Sequence, residues 1–92
     1  MMAVDRRIWY VYILLCSDQT LYTGITDNLE KRIASHNAGK GAKYTRGRGP
    51  VFLRYAETCE SHSHALKREL EIKKLPKDKK LALCLSYERE KL

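Results

Sequence analysis

The hydrophobic pattern begins with an apolar run over residues 8–15 that has no polar face and is rich in β-branched and aromatic side chains. Such a run predicts a strand covered on both sides, and therefore a central strand. The polar break over residues 17–20 has hairpin length, and a second short run follows it. Because alternate residues of a strand share a face, Tyr12 and Tyr22 are expected to meet across this hairpin.

Gly24 lies beside this tyrosine pair on the predicted return strand. It leaves a bare patch of backbone that a ligand could approach closely. The alternative is that these are ordinary strand tyrosines and a strand glycine, because strands favour aromatic residues in any case.

Helical periodicity and end signals account for most of the remaining chain. A capping-box arrangement, with Asp27 as the cap and Glu30 reaching back, begins a helix that extends to residue 38 and ends at Gly39. Residues 51–58 predict a third strand with Arg54 as its charged interruption. Ser61 or Ser63 caps a helix over residues 62–75, and a last helix covers residues 77–88.

The predicted order is therefore β-β-α-β-α-α. We expect one α+β domain whose first strand is central. In the last helix, one stripe is expected to be buried, and it consists of Leu81, Cys84 and Leu85.

The first helix places two polar side chains together. Leu29 and Ile33 form its core stripe, and Arg32 and His36 lie four residues apart at the edge of that stripe. One helical flank thus presents a guanidinium and an imidazole. The alternative is an arginine that extends over the core and a histidine in solvent.

The second helix has a carboxylate within its apolar arc. The arc consists of Ala65, Leu66, Leu70 and Ile72, and Glu69 falls near its middle. A carboxylate that faces a core is costly unless it is paired or bound to a metal ion. Glu69 therefore requires a cation, and Lys73, four residues later, is one candidate.

The chain is basic, because its 92 residues include 18 Lys and Arg against 11 Asp and Glu, which gives a net charge of +7. That balance suits a polyanionic partner. Residues 39–50 hold four glycines and no acid, and a flexible cationic loop with free amides suits phosphate contact, with Tyr44 available to stack on a base. The alternative is a solvated, mobile connector. The cations of this loop are Lys40, Lys43, Arg46 and Arg48.

Three cysteines, Cys16, Cys59 and Cys84, form no C-x-x-C pair, which indicates reduced, mostly buried thiols and no zinc site. No apolar run approaches the roughly 18 residues of a membrane span. These features predict a cytoplasmic protein with no membrane association.

The hairpin resembles the signature of the GIY-YIG nuclease superfamily, whose two elements stand here as Tyr10-Val11-Tyr12 and Tyr22-Thr23-Gly24. The resemblance extends over about residues 9–85. It implies a three-stranded antiparallel sheet with the first strand central, flanked by about three helices. Arg32 within residues 29–33 matches the arginine element of the family, and Glu69 after Arg68 matches its glutamate element. The form YTGIT, followed by HNAGKGAKYTRGRGP, is similar to the small single-domain bacterial branch, whose members mostly have no characterised activity.

The resemblance implies a catalytic site that consists of Tyr12, Tyr22, Arg32, His36 and Glu69. Glu69 would hold one Mg²⁺ or Mn²⁺ ion, Arg32 would bind phosphate oxygens, and Tyr12 would act as a base or within a proton relay. The expected partner is nucleic acid, DNA in preference to RNA. Cleavage would have low sequence specificity, directed by structure or damage or by a protein partner.

Two other interpretations remain open. One is a nucleic-acid-binding module on the same fold whose catalysis is weak or lost. The other is a basic interaction protein that is indifferent to nucleic acid. Salt-dependent DNA binding without any cleavage would indicate the first, and absence of such binding would indicate the second.

Overall fold

The computed structural model describes residues 7–91. The apolar run over residues 8–15 forms the central strand of its sheet. Strand β1 (Trp9–Leu15) pairs antiparallel with β2 (Leu21–Thr26) on one side and with β3 (Phe52–Cys59) on the other. The helices are α1 (Leu29–Asn37), α2 (His62–Lys73) and α3 (Lys77–Glu90). The predicted fold class, element order and central strand are confirmed.

Both faces of β1 are covered, which explains its uninterrupted apolar sequence. On one face, Val11 and Ile13 pack in a cluster with Ala65 and Ile72 of α2. On the other face, Tyr12 and Leu14 form a second cluster against which the Leu29 and Ile33 side chains of α1 pack. Tyr12 and helix α1 therefore lie on the same side of the sheet.

The charged interruption in the third strand is a β-bulge. Ile13 pairs with Tyr55 whereas Leu14 pairs with Leu53, so Arg54 is the extra residue of β3. The bulge leaves Arg54 exposed while Leu53 and Tyr55 reach opposite clusters.

The first helix begins one residue later than the capping box predicts. Asn28, not Asp27, is the N-cap, and its side-chain oxygen accepts from the Lys31 amide at 3.1 Å. Asp27 instead pairs with Arg7 at 3.1 Å. The Thr26 hydroxyl accepts from the Asn28 amide, which favours Asn28 as the capping residue. The second helix is capped by Ser61, one of the two predicted serines.

The apolar arcs predicted for the last two helices are partly wrong. Leu66 and Leu70 of α2 are 41% and 58% exposed, and Leu81 and Leu85 of α3 are 42% and 58% exposed. Ala65, Ile72 and Cys84 are buried as expected. Periodicity identifies an apolar arc but does not determine which part of it faces the sheet, and these four leucines lie on flanks that the described chain leaves uncovered.

Residues 39–50 do not form the expected flexible loop with free amides. A 3₁₀ turn (Lys43–Thr45) lies within the segment, and Thr45 is 1% exposed. The Asn37 side chain closes the segment by bonding both the amide and the carbonyl of Val51. Several amides of the segment donate to backbone carbonyls, including Lys40 to Ser35 at 2.9 Å.

The three cysteines are free and buried, as predicted. Within residues 7–91, every helix is too short or too polar to cross a bilayer.

Candidate active site

The side chain of Tyr12 covers the backbone of Gly24. Tyr12 pairs with Gly24 in the sheet register. A Cβ atom at position 24 would lie 2.6 Å from the Tyr12 hydroxyl oxygen and 3.0 Å from Cε2 of Tyr22. Gly24 is therefore needed for the Tyr12 phenol to lie across β2, and this patch does not serve as a free surface for a ligand backbone.

A buried hydrogen-bond chain starts at Tyr12. Its hydroxyl lies 2.9 Å from Nε2 of His36, and Nδ1 of His36 lies 2.7 Å from the Thr45 hydroxyl. The Thr45 hydroxyl in turn donates to the Ala42 carbonyl at 2.9 Å. His36 is 1% exposed, so the sequence interpretation of a helical histidine in solvent is wrong. The chain connects β1, α1 and the 3₁₀ turn.

Tyr22 lies against this chain. Its ring centroid is 5.4 Å from that of His36 and 6.3 Å from that of Tyr12. The Tyr44 ring stacks on Tyr22 at 5.8 Å, and the Arg48 guanidinium lies 4.4 Å from the centre of the Tyr44 ring. Tyr44 thus has an aromatic partner within the chain and is still 41% exposed, so its stacking on a base stays a prediction.

Arg48 has a structural role besides any contact with nucleic acid. It forms an ion pair with Asp18 of the hairpin loop, and its carbonyl accepts from the Ser17 amide at 2.8 Å. Hydrogen bonds from Thr20, with a smaller contribution from Arg48, hold the pKa of the Asp18 carboxyl below its usual value. Within residues 7–91, no acidic side chain pairs with the other three cations of the segment, which are Lys40, Lys43 and Arg46.

Burial is the largest influence on the pKa of Tyr12. Desolvation raises the pKa of Tyr12 to about 12, and the charges of Tyr22 and Glu69 act in the same direction. The neighbouring Arg32 guanidinium opposes them through hydrogen bonding and charge, but the sum stays upward. Tyr12 is a proton donor at neutral pH.

His36 has the opposite tendency. Burial, followed by the nearby Arg32 charge, lowers the pKa of the His36 imidazole. The imidazole is therefore neutral at pH 7 and has one nitrogen available to accept a proton. Arg32 influences both Tyr12 and His36, as its place on the same helical flank predicts.

Glu69 combines features of both sequence interpretations. Its side chain is only 16% exposed, and its carboxylate pairs with Lys73 at 3.3 Å. The structural alternative, a helix ion pair, is therefore present. The Glu69 charge nevertheless contributes to the pKa of Tyr12, so the carboxylate lies within electrostatic range of the phenol.

Two cavities have different characters. A polar one of about 200 Å³ adjoins the site at the start of α1 and is lined in part by Lys31 and Arg32. A larger one of about 510 Å³ is mainly apolar, is lined by side chains such as Leu53, Leu81 and Tyr87, and contains none of the candidate site residues. The lining of the smaller cavity combines these two cations with the carboxylate of Asp27.

The sequence analysis missed two residues of this site. Thr45 is buried against His36, and Gly41 is a buried glycine at which the backbone passes over the imidazole. The only sequence signal was the Gly-rich composition of residues 39–50, which suggested flexibility and not close packing.

Gly41→Ala should displace the imidazole and destabilise the protein by about 1–3 kcal/mol, because the core there has no space. A Cβ atom at position 41 would lie 2.7 Å from Cγ and 2.8 Å from Cα of His36. Gly49→Ala is the matched control, since its Cβ would approach only Asn37, at 3.9 Å. Urea unfolding measures both, and equal stability of the two variants would contradict this close packing.

Most of the chain matches one family of known proteins. Residues 8–82 match the family model of the GIY-YIG catalytic domain. The chain is 52% identical to the UPF0213 protein of Desulfotalea psychrophila, with 92% of this chain and 78% of that protein covered. It is 57% identical to the UPF0213 protein of Clostridium perfringens, with 88% and 95% covered.

Two solution NMR structures are similar. The UPF0213 protein of Bacillus halodurans is 47% identical with a TM-score of 0.53, and the match covers 83% of this chain and 81% of that one. A protein of E. faecalis is 41% identical with a TM-score of 0.57, with 86% and 85% covered. The paired tyrosines, the arginine-bearing helix and the family match together show that this chain belongs to the GIY-YIG superfamily, among its small UPF0213 proteins.

Proposed function

We propose that this protein is a metal-dependent endonuclease that hydrolyses phosphodiester bonds in DNA with low sequence specificity, directed by structure or damage. The observation that carries the proposal is the bond between the Tyr12 hydroxyl and the neutral His36 imidazole, beside Arg32 and within range of Glu69. Each of these groups has a use in hydrolysis of a phosphodiester. The family match supports a nuclease-type fold and a nucleic-acid substrate. The free cysteines are consistent with the cytoplasm as its compartment.

The raised pKa of Tyr12, about 12, favours a relay over a preformed phenolate. In that relay Tyr12 takes a proton from the attacking water while it gives its own proton to Nε2 of His36. Hydroxide attacks phosphorus, the bond to the leaving oxygen breaks, and His36 ends the step as an imidazolium. The charge that develops on the phosphate oxygens would be stabilised by Arg32, whose planar guanidinium binds two oxygens together.

The residues present fit a magnesium ion better than a zinc ion. Within the described part of the chain, no three His, Cys, Asp or Glu side chains cluster as metal ligands. Mg²⁺ commonly uses one or two carboxylates and completes its shell with water and substrate phosphate, so Glu69 alone is a sufficient protein ligand. Bound there, Mg²⁺ or Mn²⁺ would polarise the phosphate and assist the leaving oxygen. The ion would compete with Lys73 for the carboxylate.

A second candidate is a DNA-binding module with little or no turnover. Two observations favour it: Tyr12 is 1% exposed, and Glu69 is already neutralised by Lys73. In this interpretation the tyrosine and the acid stabilise the fold, and the cations of residues 39–50 bind DNA.

One assay separates the two candidates. Purified protein is incubated with supercoiled plasmid and with branched, nicked and damaged duplexes, in Mg²⁺, in Mn²⁺ and in chelator. The endonuclease proposal expects metal-dependent strand breaks in at least one substrate. Binding that weakens steeply with salt but never leads to a break would overturn it in favour of the binding module.

DNA binding is expected to depend on three cations of residues 39–50 for which the described part of the chain has no acidic partner, Lys40, Lys43 and Arg46. Replacement of Lys43 or Arg46 by alanine should weaken binding and reduce the slope of log affinity against log salt by about one for each lost phosphate contact. Lys79→Ala on α3 is the control, because it removes the same amount of positive charge from another part of the surface. Fluorescence anisotropy at several salt concentrations measures the slopes, and an equal change for Lys79→Ala would contradict a localised DNA-binding surface.

A further inference from the structure

The directions of the hydrogen bonds around His36 follow from a count of protons. A hydroxyl has one proton to donate, and the Thr45 hydroxyl donates its proton to the Ala42 carbonyl at 2.9 Å. With its proton used there, the same oxygen, 2.7 Å from Nδ1 of His36, can only accept, which points to Nδ1 as the nitrogen that carries the imidazole proton. A neutral imidazole has only one N–H, so Nε2 is bare and accepts from the Tyr12 hydroxyl at 2.9 Å.

We propose that Thr45 is a positioning residue that holds His36 in the tautomer whose bare Nε2 can take the Tyr12 proton. The tautomer itself is independent of any activity, but its catalytic use rests on the proposed endonuclease function. In the opposite tautomer Nε2 carries a proton, so the Tyr12 proton has no acceptor and the relay cannot begin.

The surroundings of Thr45 leave this hydroxyl little freedom. The residue is 1% exposed and lies at the end of the 3₁₀ turn, where its amide also donates to the Ala42 carbonyl at 3.0 Å. Gly41 allows the backbone of the same segment to lie directly over the imidazole. The segment predicted from sequence as a DNA-binding loop therefore also sets the protonation pattern of the histidine.

The tautomer can be read directly by NMR. Long-range proton–nitrogen correlations of the imidazoles are recorded on the full chain above neutral pH, without metal or DNA. The chain has three histidines, and the His36 signals are identified by their loss in His36→Gln. We expect a protonated Nδ1 and a bare Nε2 in the wild type.

Three variants test the role of the hydroxyl. Thr45→Val keeps the shape but removes the acceptor, so the His36 proton should shift toward Nε2. Thr45→Ser should restore the wild-type pattern, and Thr58→Val, at an exposed position, should leave it unchanged. In the strand-break assay Thr45→Val should cut roughly tenfold to a hundredfold more slowly, with Thr45→Ser close to wild type.

Wild-type His36 protonated at Nε2 would overturn the proposal, and this outcome needs no Thr45 variant to fold. An unchanged tautomer in Thr45→Val would also overturn it. If the wild type cuts no DNA while the NMR pattern is as expected, the endonuclease function fails and the assignment of the tautomer to Thr45 stands.

Discussion

Replacing Tyr12 by phenylalanine is expected to reduce strand cleavage by roughly 10²- to 10⁴-fold, the usual contribution of a positioned proton-transfer group. The change removes the hydroxyl that bonds Nε2 of His36 and leaves the ring in the core cluster. DNA binding should be nearly unchanged, because the lost atom lies inside the protein and not among the cations of residues 39–50.

Two measurements accompany the cleavage assay for Tyr12→Phe. Nε2 of His36 loses its buried hydrogen-bond partner, so the protein should be destabilised by about 1–3 kcal/mol, which denaturant unfolding measures. Tyr87→Phe is the matched control, since it removes a phenol from α3, far from the candidate site in the chain and in a different cluster of rings. Cleavage by Tyr12→Phe at the rate of Tyr87→Phe would show that the buried chain serves stability alone.

Glu69→Gln is the second change with a large expected effect, a loss of metal-dependent cleavage of roughly 10²- to 10³-fold. That range corresponds to about 3–4 kcal/mol of transition-state stabilisation, in the range that a metal ion supplies as a Lewis acid. Glutamine keeps the size of the side chain but lacks the charge that a hard divalent cation requires. Higher Mg²⁺ or Mn²⁺ concentration should recover part of the rate.

Lys73→Met decides between the two interpretations of Glu69. If the carboxylate matters only through its ion pair with Lys73, both variants should lose the same activity and stability. If the carboxylate binds metal, Lys73→Met should keep cleavage and bind the ion more tightly, because the competing ammonium is gone. Glu71→Gln, on the same helix and paired only with Arg68 among described residues, controls for loss of a helical carboxylate.

Elements whose signals are local could be predicted from sequence. The central strand, the hairpin and the Tyr12–Tyr22 pair followed from apolar runs and strand alternation. The approach of Arg32 to His36 followed from helical spacing. These predictions depend on neighbours within a few residues or on one hairpin, where chain geometry leaves few alternatives.

Predictions that depended on long-range packing were less accurate. His36 could not be identified as buried, because the residues that cover it, Gly41 and Thr45, belong to a segment whose composition indicates flexibility. Leu70 and Leu85 lie on predicted apolar arcs yet are exposed, since the rotation of a helix against the sheet is set by the whole core.

The sequence by itself thus determined the family, the order of elements and the side chains available for chemistry. Only the tertiary structure decided the electrostatics of the site, because burial raises the pKa of Tyr12 to about 12 and packing places its hydroxyl 2.9 Å from Nε2 of His36. It also decided that Lys73 pairs with Glu69. Desolvation and the directions of hydrogen bonds depend on every group packed around a site, and those groups come from distant parts of the chain.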